Sequence, residues 1–401
     1  MPVPESSSRI CSGKARRLIK VVRKGIVMRI LMLAFSCEQP YHTLRAAAAA
    51  GHKVHVLARG GGENLKYSHY CASYHHFNFD PVSCSHDDAL AEITRCVHEV
   101  SADLIMPTDI NSTRLLTALA GRLPVRTPAL PDAASFDMLN DKWKFYRFCK
   151  EHGLSAPQTW LFEDVDTLKK AIIEKEVPLP IIVKPVDSSG GIGIYQIKDK
   201  ADLDRVDKVQ YKPLLVQKMI VGEGIDISVL ANKGRITAYA IQRNLPDRYL
   251  FIRQDALLTQ ASRAIEASGF NGLAHFDAIL ERETGDIYLI ECNPRAWMSI
   301  FAALVAGLNF IELSIDDKSF DPAKPLCIID KEVDDCGSTK MLLKKIIMKL
   351  IKERRLNKPD YNLLKYNLAD PVGKKRSRPR AGIGPVAPAA PQREGISPAK
   401  A

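Results

Sequence analysis

The chain has 401 residues, 46% apolar and 26% charged, the balance of a globular protein and not of a disordered or fibrous one. Its 57 basic and 46 acidic residues give a net charge of +11, yet residues 1–27 and 371–401 each carry seven basic residues and one acid, which leaves −1 for residues 28–370. That distribution gives no support for a groove built to neutralise phosphodiesters, so no specific nucleic acid is expected; nine cysteines without paired spacing argue against a disulfide framework and fit a reducing cytoplasm.

Basic residues 14–24 ahead of an apolar stretch imitate a signal peptide, but Arg29 interrupts that stretch. No apolar run reaches the roughly 18 residues of a membrane span. The fold is expected to begin at Met28, with residues 1–27 a disordered basic extension or a misassigned start. Residues 28–34 form a strand-length apolar run, 36–40 a polar turn, 43–50 an alanine-rich helix ended by Gly51, and 52–57 an alternating strand. This βαβ opening implies a parallel sheet. A helix over 87–100, a strand over 103–107, a helix over 115–120 and a closing segment over 125–131 complete a small doubly wound α/β domain over residues 28–130. No GxGxxG follows its first strand, so a dinucleotide is not expected, and Gly60-Gly61-Gly62 reads as a flexible loop in preference to a phosphate cradle.

Residues 131–330 change to an α+β texture. Helices are expected over 137–152, 166–175, 256–269 and 299–307. Strands are expected over 159–162, 181–184, 193–197, 214–219, 225–231 and 235–242, with a turn at Asn232-Lys233-Gly234 and a loop over 244–249. A hairpin pairs 275–281 with 287–292. In the region 331–370, residues 338–355 form a basic amphipathic helix with Leu342, Leu343, Ile346, Ile347, Leu350 and Ile351 on one stripe. It reads as packed on the domain with solvated lysines, a membrane-surface helix being the alternative. Residues 371–401, with six prolines and four glycines, read as a disordered basic tail. The basic ends are the route by which the protein would touch an anionic surface peripherally.

Three segments carry chemistry. Asp277 lies on one strand of the hairpin, with Glu291 and Asn293 on the other; residues two apart in a strand share a face. Two carboxylates and an amide oxygen make an all-oxygen site suited to Mg²⁺ that also takes nucleotide phosphates, against the alternative of a solvated acidic face. Lys184 ends an apolar strand and is followed by Ser188, Ser189, Gly190 and Gly191, either a phosphate device or a plain hairpin loop. An apolar strand runs through Gln217, Lys218, Met219 and Ile220 into a glycine-bounded bend, which either exposes main chain to an adenine edge or simply ends.

In this order the segments resemble the ATP-grasp superfamily over most of residues 28–315. Leu289-Ile290-Glu291-Cys292-Asn293-Pro294-Arg295 is similar to the family's metal-binding E-x-N-P-R strand, and Asp277 in His275-Phe276-Asp277-Ala278 to its partner acid. Asn140-Asp141-Lys142 and Val183-Lys184-Pro185 resemble its two phosphate-binding lysines, and Gln217 to Ile220 its adenine hinge. The resemblance implies a pre-ATP-grasp α/β domain followed by a two-subdomain ATP-grasp fold, closer to the carbamoyl-phosphate-synthase-like, carboxylate–amine ligase branch than to biotin carboxylases. It implies ATP between the subdomains, Lys142 and Lys184 on its α/β-phosphates, residues 188–191 closing over them, and Asp277, Glu291 and Asn293 holding Mg²⁺, or Mn²⁺ in its place. Lys184 and Arg295 would serve the transfer itself, Arg295 steadying the γ-phosphate or the acylphosphate.

The implied reaction joins a small-molecule carboxylate, activated as its acylphosphate, to an amine, thiol or other nucleophile. A homo-oligomer is compatible with it. The family's ribose acid falls here on Glu223 or Asp226. Cys292 is expected to pack, His275 to be structural or to face substrate, and Arg243 to be a substrate contact or a surface residue. The competing reading is a nucleotide-binding regulatory or assembly protein that keeps the fold without turnover.

Overall fold

The computed structural model describes residues 27–187, 192–315, 325–334, 339–353 and 356–370. Most of the basic extension, the loop 188–191 and the tail 371–401 lie outside the described residues. The first sheet is parallel, in the order β3-β2-β1-β4. It is built from β1 (Arg29–Ala34), α1 (Glu38–Ala49), β2 (Lys53–Ala58), β3 (Cys71–His76), α2 (His86–Val100), β4 (Leu104–Pro107) and α3 (Ile110–Ala118). The helix expected from residue 43 begins at Glu38, because Pro40 falls in the first turn, where its missing N–H has no intrahelical partner to lose. Strand β3 escapes prediction because it is a sheet edge whose residues are mostly half-exposed. The glycine triplet is not a flexible loop. Gly60–Tyr67 forms a short 3₁₀ helix, and a Cβ on Gly62 would stand 2.1 Å from the carbonyl oxygen of Ala34. Asp109 caps α3 through the Ser112 N–H at 2.9 Å and also accepts the N–H groups of Phe35 and Ser36 at 2.7 and 2.8 Å. One carboxylate thereby ties the loops at the carboxyl ends of β1 and β4. Residues 125–131 form no regular element.

The single helix expected over 137–152 is two, α4 (Ala133–Asn140) and α5 (Lys142–Glu151). Asp141 between them is extended, and its side chain accepts the N–H of Lys144 at 2.8 Å, the behaviour of an N-cap. The break makes Lys142 the first residue of α5. A small antiparallel sheet, in the order β5-β8-β6-β7, follows from β5 (Thr159–Phe162), α6 (Val165–Ile173), β6 (Ile181–Pro185), β7 (Tyr195–Ile197) and β8 (Leu214–Lys218). The large sheet begins with β9 (Gly222–Asn232), β10 (Arg235–Leu245), β11 (Arg248–Ile252), α7 (Asp255–Ser268), β12 (Gly272–Glu281) and β13 (Ile287–Asn293). After α8 (Ile300–Ala306) and α9 (Phe310–Ile315), β14 (Leu326–Ile328) and β15 (Lys331–Asp334) join it, and α10 (Thr339–Glu353) and α11 (Lys358–Ala369) follow. Its order is β13-β12-β9-β10-β11-β15, with β14 parallel on β10. Two expectations change. The loop over 244–249 is a tight β10–β11 hairpin, with Leu245 opposite Arg248, and a boundary at residue 330 would cut between two strands of one sheet.

One face of the large sheet, through Ile225, Ile227, Leu289 and Cys292, packs on residues of α5 and α7. The other face, through Leu230, Ala238 and Ala240, shares a core with β1, α1, α8 and α10. Helix α10 buries Leu342 and Ile346, while Ile347 and Ile351 are 54% and 68% exposed. Two of its lysines are not solvated as expected: Lys345 reaches Asp247 at 3.0 Å, and Lys349 reaches Asp360 at 2.9 Å and Asp334 at 3.2 Å. Asp370, after α11, accepts the His69 N–H at 3.0 Å and the Tyr41 hydroxyl at 3.2 Å, which fastens the C-terminal helices to the first domain. No helix among the described residues is long and apolar enough to cross a membrane.

The close approach at Gly62 yields a test. Gly62→Ala should cost about 1–3 kcal/mol in chemical denaturation, the range for overpacking. Gly224→Ala, whose Cβ would meet nothing within 4 Å, serves as the tolerated comparison.

Candidate active site

Strands β12 and β13 pair so that Asp277 lies opposite Glu291 and His275 opposite Asn293. The ladder slips by one residue between Asp277 and Ala278, whose partners are Glu291 and Leu289, and this leaves Ile290 as the extra residue of a bulge. The slip reverses the alternation of β13. Ile287 and Leu289 point into the core before it and Cys292 after it, so Glu291 and Asn293 turn to the opposite face. Asp226 on β9 joins the same row beside Asp277, and Ser228 sits beside His275. Ile290 and Glu291, neighbours in sequence, therefore both border the same cavity.

That cavity, about 220 Å³, lies between the small and large sheets. Ile182, Ile194, Ile220, Ile279 and Ile290 make it apolar, and Lys184, Gln217, Lys218, Asp277 and Glu291 supply its polar groups. Ile181 and Val183 face the small sheet's own core, so Ile182 and Lys184 share the opposite, cavity-side face of β6. Lys184 is buried and donates to Gln217 Oε1 at 3.0 Å, while Gln217 Nε2 donates to Thr159 Oγ1 at 3.1 Å. Lys142, from the start of α5, stands 3.4 Å from Glu291 Oε2. The two lysines and two acids named from the sequence are therefore brought to one place. The loop 188–191 lies outside the described residues.

The site is electrostatically tense. Burial, and then the Asp277 carboxylate, push the Glu291 pKa up, opposed by Lys142 and Lys184. Burial pulls Lys184 down to about 8, with Lys142 adding to the shift and Glu291 opposing it. His275 is enclosed between acids, with Nε2 3.1 Å from Asp277 Oδ1 and 3.6 Å from Asp226 Oδ2, and Nδ1 2.9 Å from Ser228 Oγ. Burial lowers its pKa, but the hydrogen bonds with Asp226 and Asp277 prevail and hold it up at about 10. Trp297 stacks on the imidazole at 5.7 Å and 12°. Two crowded carboxylates among oxygen and ammonium groups fit a hard divalent cation such as Mg²⁺ or Mn²⁺. Asn293 donates its amide to Asp277 at 3.1 Å and accepts from Arg295 at 2.9 Å, so its oxygen reaches such a cation only after the amide turns over.

Several expected site residues lie elsewhere. Glu223 shares the face of Ile225, opposite to Asp277, and pairs with Arg243, so neither borders the cavity. Asp226 is on the right face but is buried and engaged by Asn244 and His275. Position 224, between them, is glycine and offers no carboxylate. The N–H groups of Lys218 and Met219 are taken by Gln158 O at 2.8 Å and Pro180 O at 3.0 Å, and of the hinge residues Lys218 and Ile220 border the cavity. Arg295 sits behind Asn293, 5% exposed, with its other bond to Ala296 O at 3.1 Å. Its guanidinium does not border the cavity, and its Nε has no partner. Cys292 is buried in the core as expected, its thiol pushed well up by burial. The isoleucine walls went unnoticed, although strand alternation would have found Ile182 and Ile279, two residues from Lys184 and Asp277.

A parallel sheet domain and two antiparallel sheets facing each other across a lysine–carboxylate cleft define the ATP-grasp class, and residues 139–299 match the model of the ATP-grasp domain. The chain carries an ATP-grasp domain. It is 27% identical over 204 residues to D-alanine–D-alanine ligase of Stutzerimonas stutzeri, covering 42% of this chain and 65% of that protein. It is 26% identical over 207 residues to the carbamoyl phosphate synthase large chain of Clostridium beijerinckii, covering 45% of this chain and 19% of that one. The chain thus spans under two thirds of the length of these curated relatives. Among solved structures, N5-carboxyaminoimidazole synthetase from Staphylococcus aureus complexed with ADP superposes with a TM-score of 0.63 at 18% identity, covering 80% of this chain and 86% of that one. L-amino acid ligase from Bacillus licheniformis superposes with a TM-score of 0.53 at 19% identity, covering 72% and 73%.

His275 gives a prediction with a definite sign. A pKa raised from 6.5 to about 10 contributes stability that is complete below pH about 6.5 and is lost as pH rises toward 10. Denaturation of His275→Gln should show a large deficit against the parent protein at pH 6 that shrinks by pH 10. An equal deficit at both values would contradict the charged-histidine assignment.

Proposed function

We propose that the protein is an ATP-dependent ligase that joins a small-molecule carboxylate to an amine or another nucleophile. The observation that carries this reading is the cavity itself, with an apolar slot and Lys184 on one wall and the Asp277–Glu291 pair on the other. The base would lie between Ile182, Ile220 and Ile279, against the main chain of Lys218 and Ile220. Lys142 and Lys184 would take the α- and β-phosphate oxygens. With no acid at position 224, we assign the ribose no carboxylate among the described residues. Asp277 and Glu291 would hold Mg²⁺, joined by Asn293 once its amide has turned; when bound, the ion neutralises phosphate charge during transfer.

The substrate carboxylate attacks the γ-phosphorus and the bond to the ADP oxygen breaks, giving the acylphosphate. The nucleophile then attacks the acyl carbon and expels phosphate. Embedding the reaction between two sheets excludes water that would hydrolyse the mixed anhydride. All seven cysteines of the described residues are free, in keeping with a cytoplasmic setting.

The test is phosphate release from Mg²⁺-ATP with a pooled panel of carboxylates and amines. Release should depend on both co-substrates and fall at least about 100-fold in Glu291→Gln, the scale of losing an electrostatic contact to the transition state. Nucleotide binding with no release for any pair would favour the regulatory, non-turnover reading.

A further inference from the structure

At the outer edge of the first domain, β3 and α2 bring together three side chains of metal-ligating type. A ring nitrogen of His75, Cys96 Sγ and a Glu99 carboxylate oxygen all lie within 4.8 Å of one another, and His75 Nδ1 is the nitrogen 3.4 Å from Glu99 Oε1. Cys96 and Glu99 are three residues apart on α2 and so share a helix face, and the parallel strand β3 lays His75 alongside it.

The surroundings of His75 orient it toward this cluster. Nε2 is 2.8 Å from Ser73 Oγ, which is itself 2.6 Å from His55 Nδ1. With Nε2 protonated and donating to Ser73, and Ser73 donating to His55, the lone pair on His75 Nδ1 is aimed at Glu99 Oε1, 3.4 Å away. In the other tautomer Nδ1–H would donate to Glu99; the Nε2–H form leaves Nδ1 and Glu99 Oε1 as two acceptors that a positive charge between them would join. Arg95 shows that the cluster draws one: its guanidinium stands 2.8 Å from Glu99 Oε2 and 3.4 Å from Cys96 Sγ. Arg95 and Glu99 are 54% and 52% exposed in their side chains, so the guanidinium can swing aside into water.

We propose that His75, Cys96 and Glu99 form a second metal site, for a borderline divalent cation of the Zn²⁺ or Co²⁺ kind, with water completing a tetrahedral shell. An imidazole, a thiolate and a carboxylate suit such an ion, whereas the all-oxygen set of the cleft suits Mg²⁺. Ser73 is the positioning residue, acting through the His75 ring. Binding expels the Arg95 guanidinium from Glu99 and Cys96 and releases the thiol proton to solvent.

The experiment titrates Co²⁺ into the metal-stripped full chain, with excess Mg²⁺ to occupy the cleft. Near-ultraviolet thiolate-to-cobalt charge-transfer absorption should appear at one equivalent and vanish in Cys96→Ser. Affinity should fall at least about tenfold in His75→Asn and in the surface variant Glu99→Ala, and by about tenfold in Ser73→Ala. Arg95→Gln separates a metal site from a mere ion pair, since loss of the competing guanidinium should tighten Co²⁺ binding several-fold while weakening any purely structural pairing. Absence of the thiolate band in the parent chain, its survival in Cys96→Ser, or unchanged affinity in both Glu99→Ala and Arg95→Gln would overturn the proposal.

Discussion

One extra residue in β13 orients the whole cleft. Leu289, Glu291 and Asn293 are all odd-numbered, and a regular strand would send them to one face. Leu289 belongs in the core beneath α5 and α7, so a regular β13 would bury Glu291 there among Phe145 and Phe276. The bulge at Ile290 resolves the conflict: apolar residues keep the core on both sides of it, and the acid and amide emerge beside Asp277. The same slip adds Ile290 to the apolar wall, so one local irregularity serves both ends of the cavity.

Charge then holds the two walls in relation. Two half-buried carboxylates on the large sheet face two lysines, a half-buried one from α5 and a buried one from the small sheet. The shifts run as that balance requires: Glu291 up and Lys184 down, each opposed by groups across the cleft. Removing one partner would leave an uncompensated buried charge, a costlier defect than replacing the set as a whole. Behind this row a charged His275 neutralises Asp226 and Asp277 and rests on Trp297, so Asp277 is fixed from the rear while its front meets the cavity.

Much of this was legible in the sequence because it depends on short spacings. The hairpin, its acid pair and Asn293 follow from two-residue alternation and one turn, and Lys184 from its place at the end of an apolar run. What the sequence concealed needed a third dimension. The bulge leaves no composition signal, so the turn of Ile290 toward the cavity is not readable from strand alternation. Glu223 and Asp226 looked interchangeable until the sheet assigned them opposite faces. Arg295 was expected to steady the transferred group, but it is buried beside Met106, Pro107 and Thr113 of the first domain. Strand β3 was hidden because an edge strand has little burial to pattern it, while the Asp141 break did leave a signal, since Phe136 and Leu139 of α4 and Phe145, Phe148 and Cys149 of α5 would fall on opposite faces of one continuous helix.

The claim on which the rest depends is that the two sheets grip one nucleotide across the Asp277–Glu291 row. The most direct measurement is a crystal structure of the full chain grown with Mg²⁺ and a non-hydrolysable ATP analogue. The account predicts the base between Ile182 and Ile279, phosphate oxygens on Lys142 and Lys184, and the metal between Asp277 and Glu291 with the Asn293 amide turned over. A nucleotide bound outside this cavity, or one bound in it with no metal on either carboxylate, would contradict it.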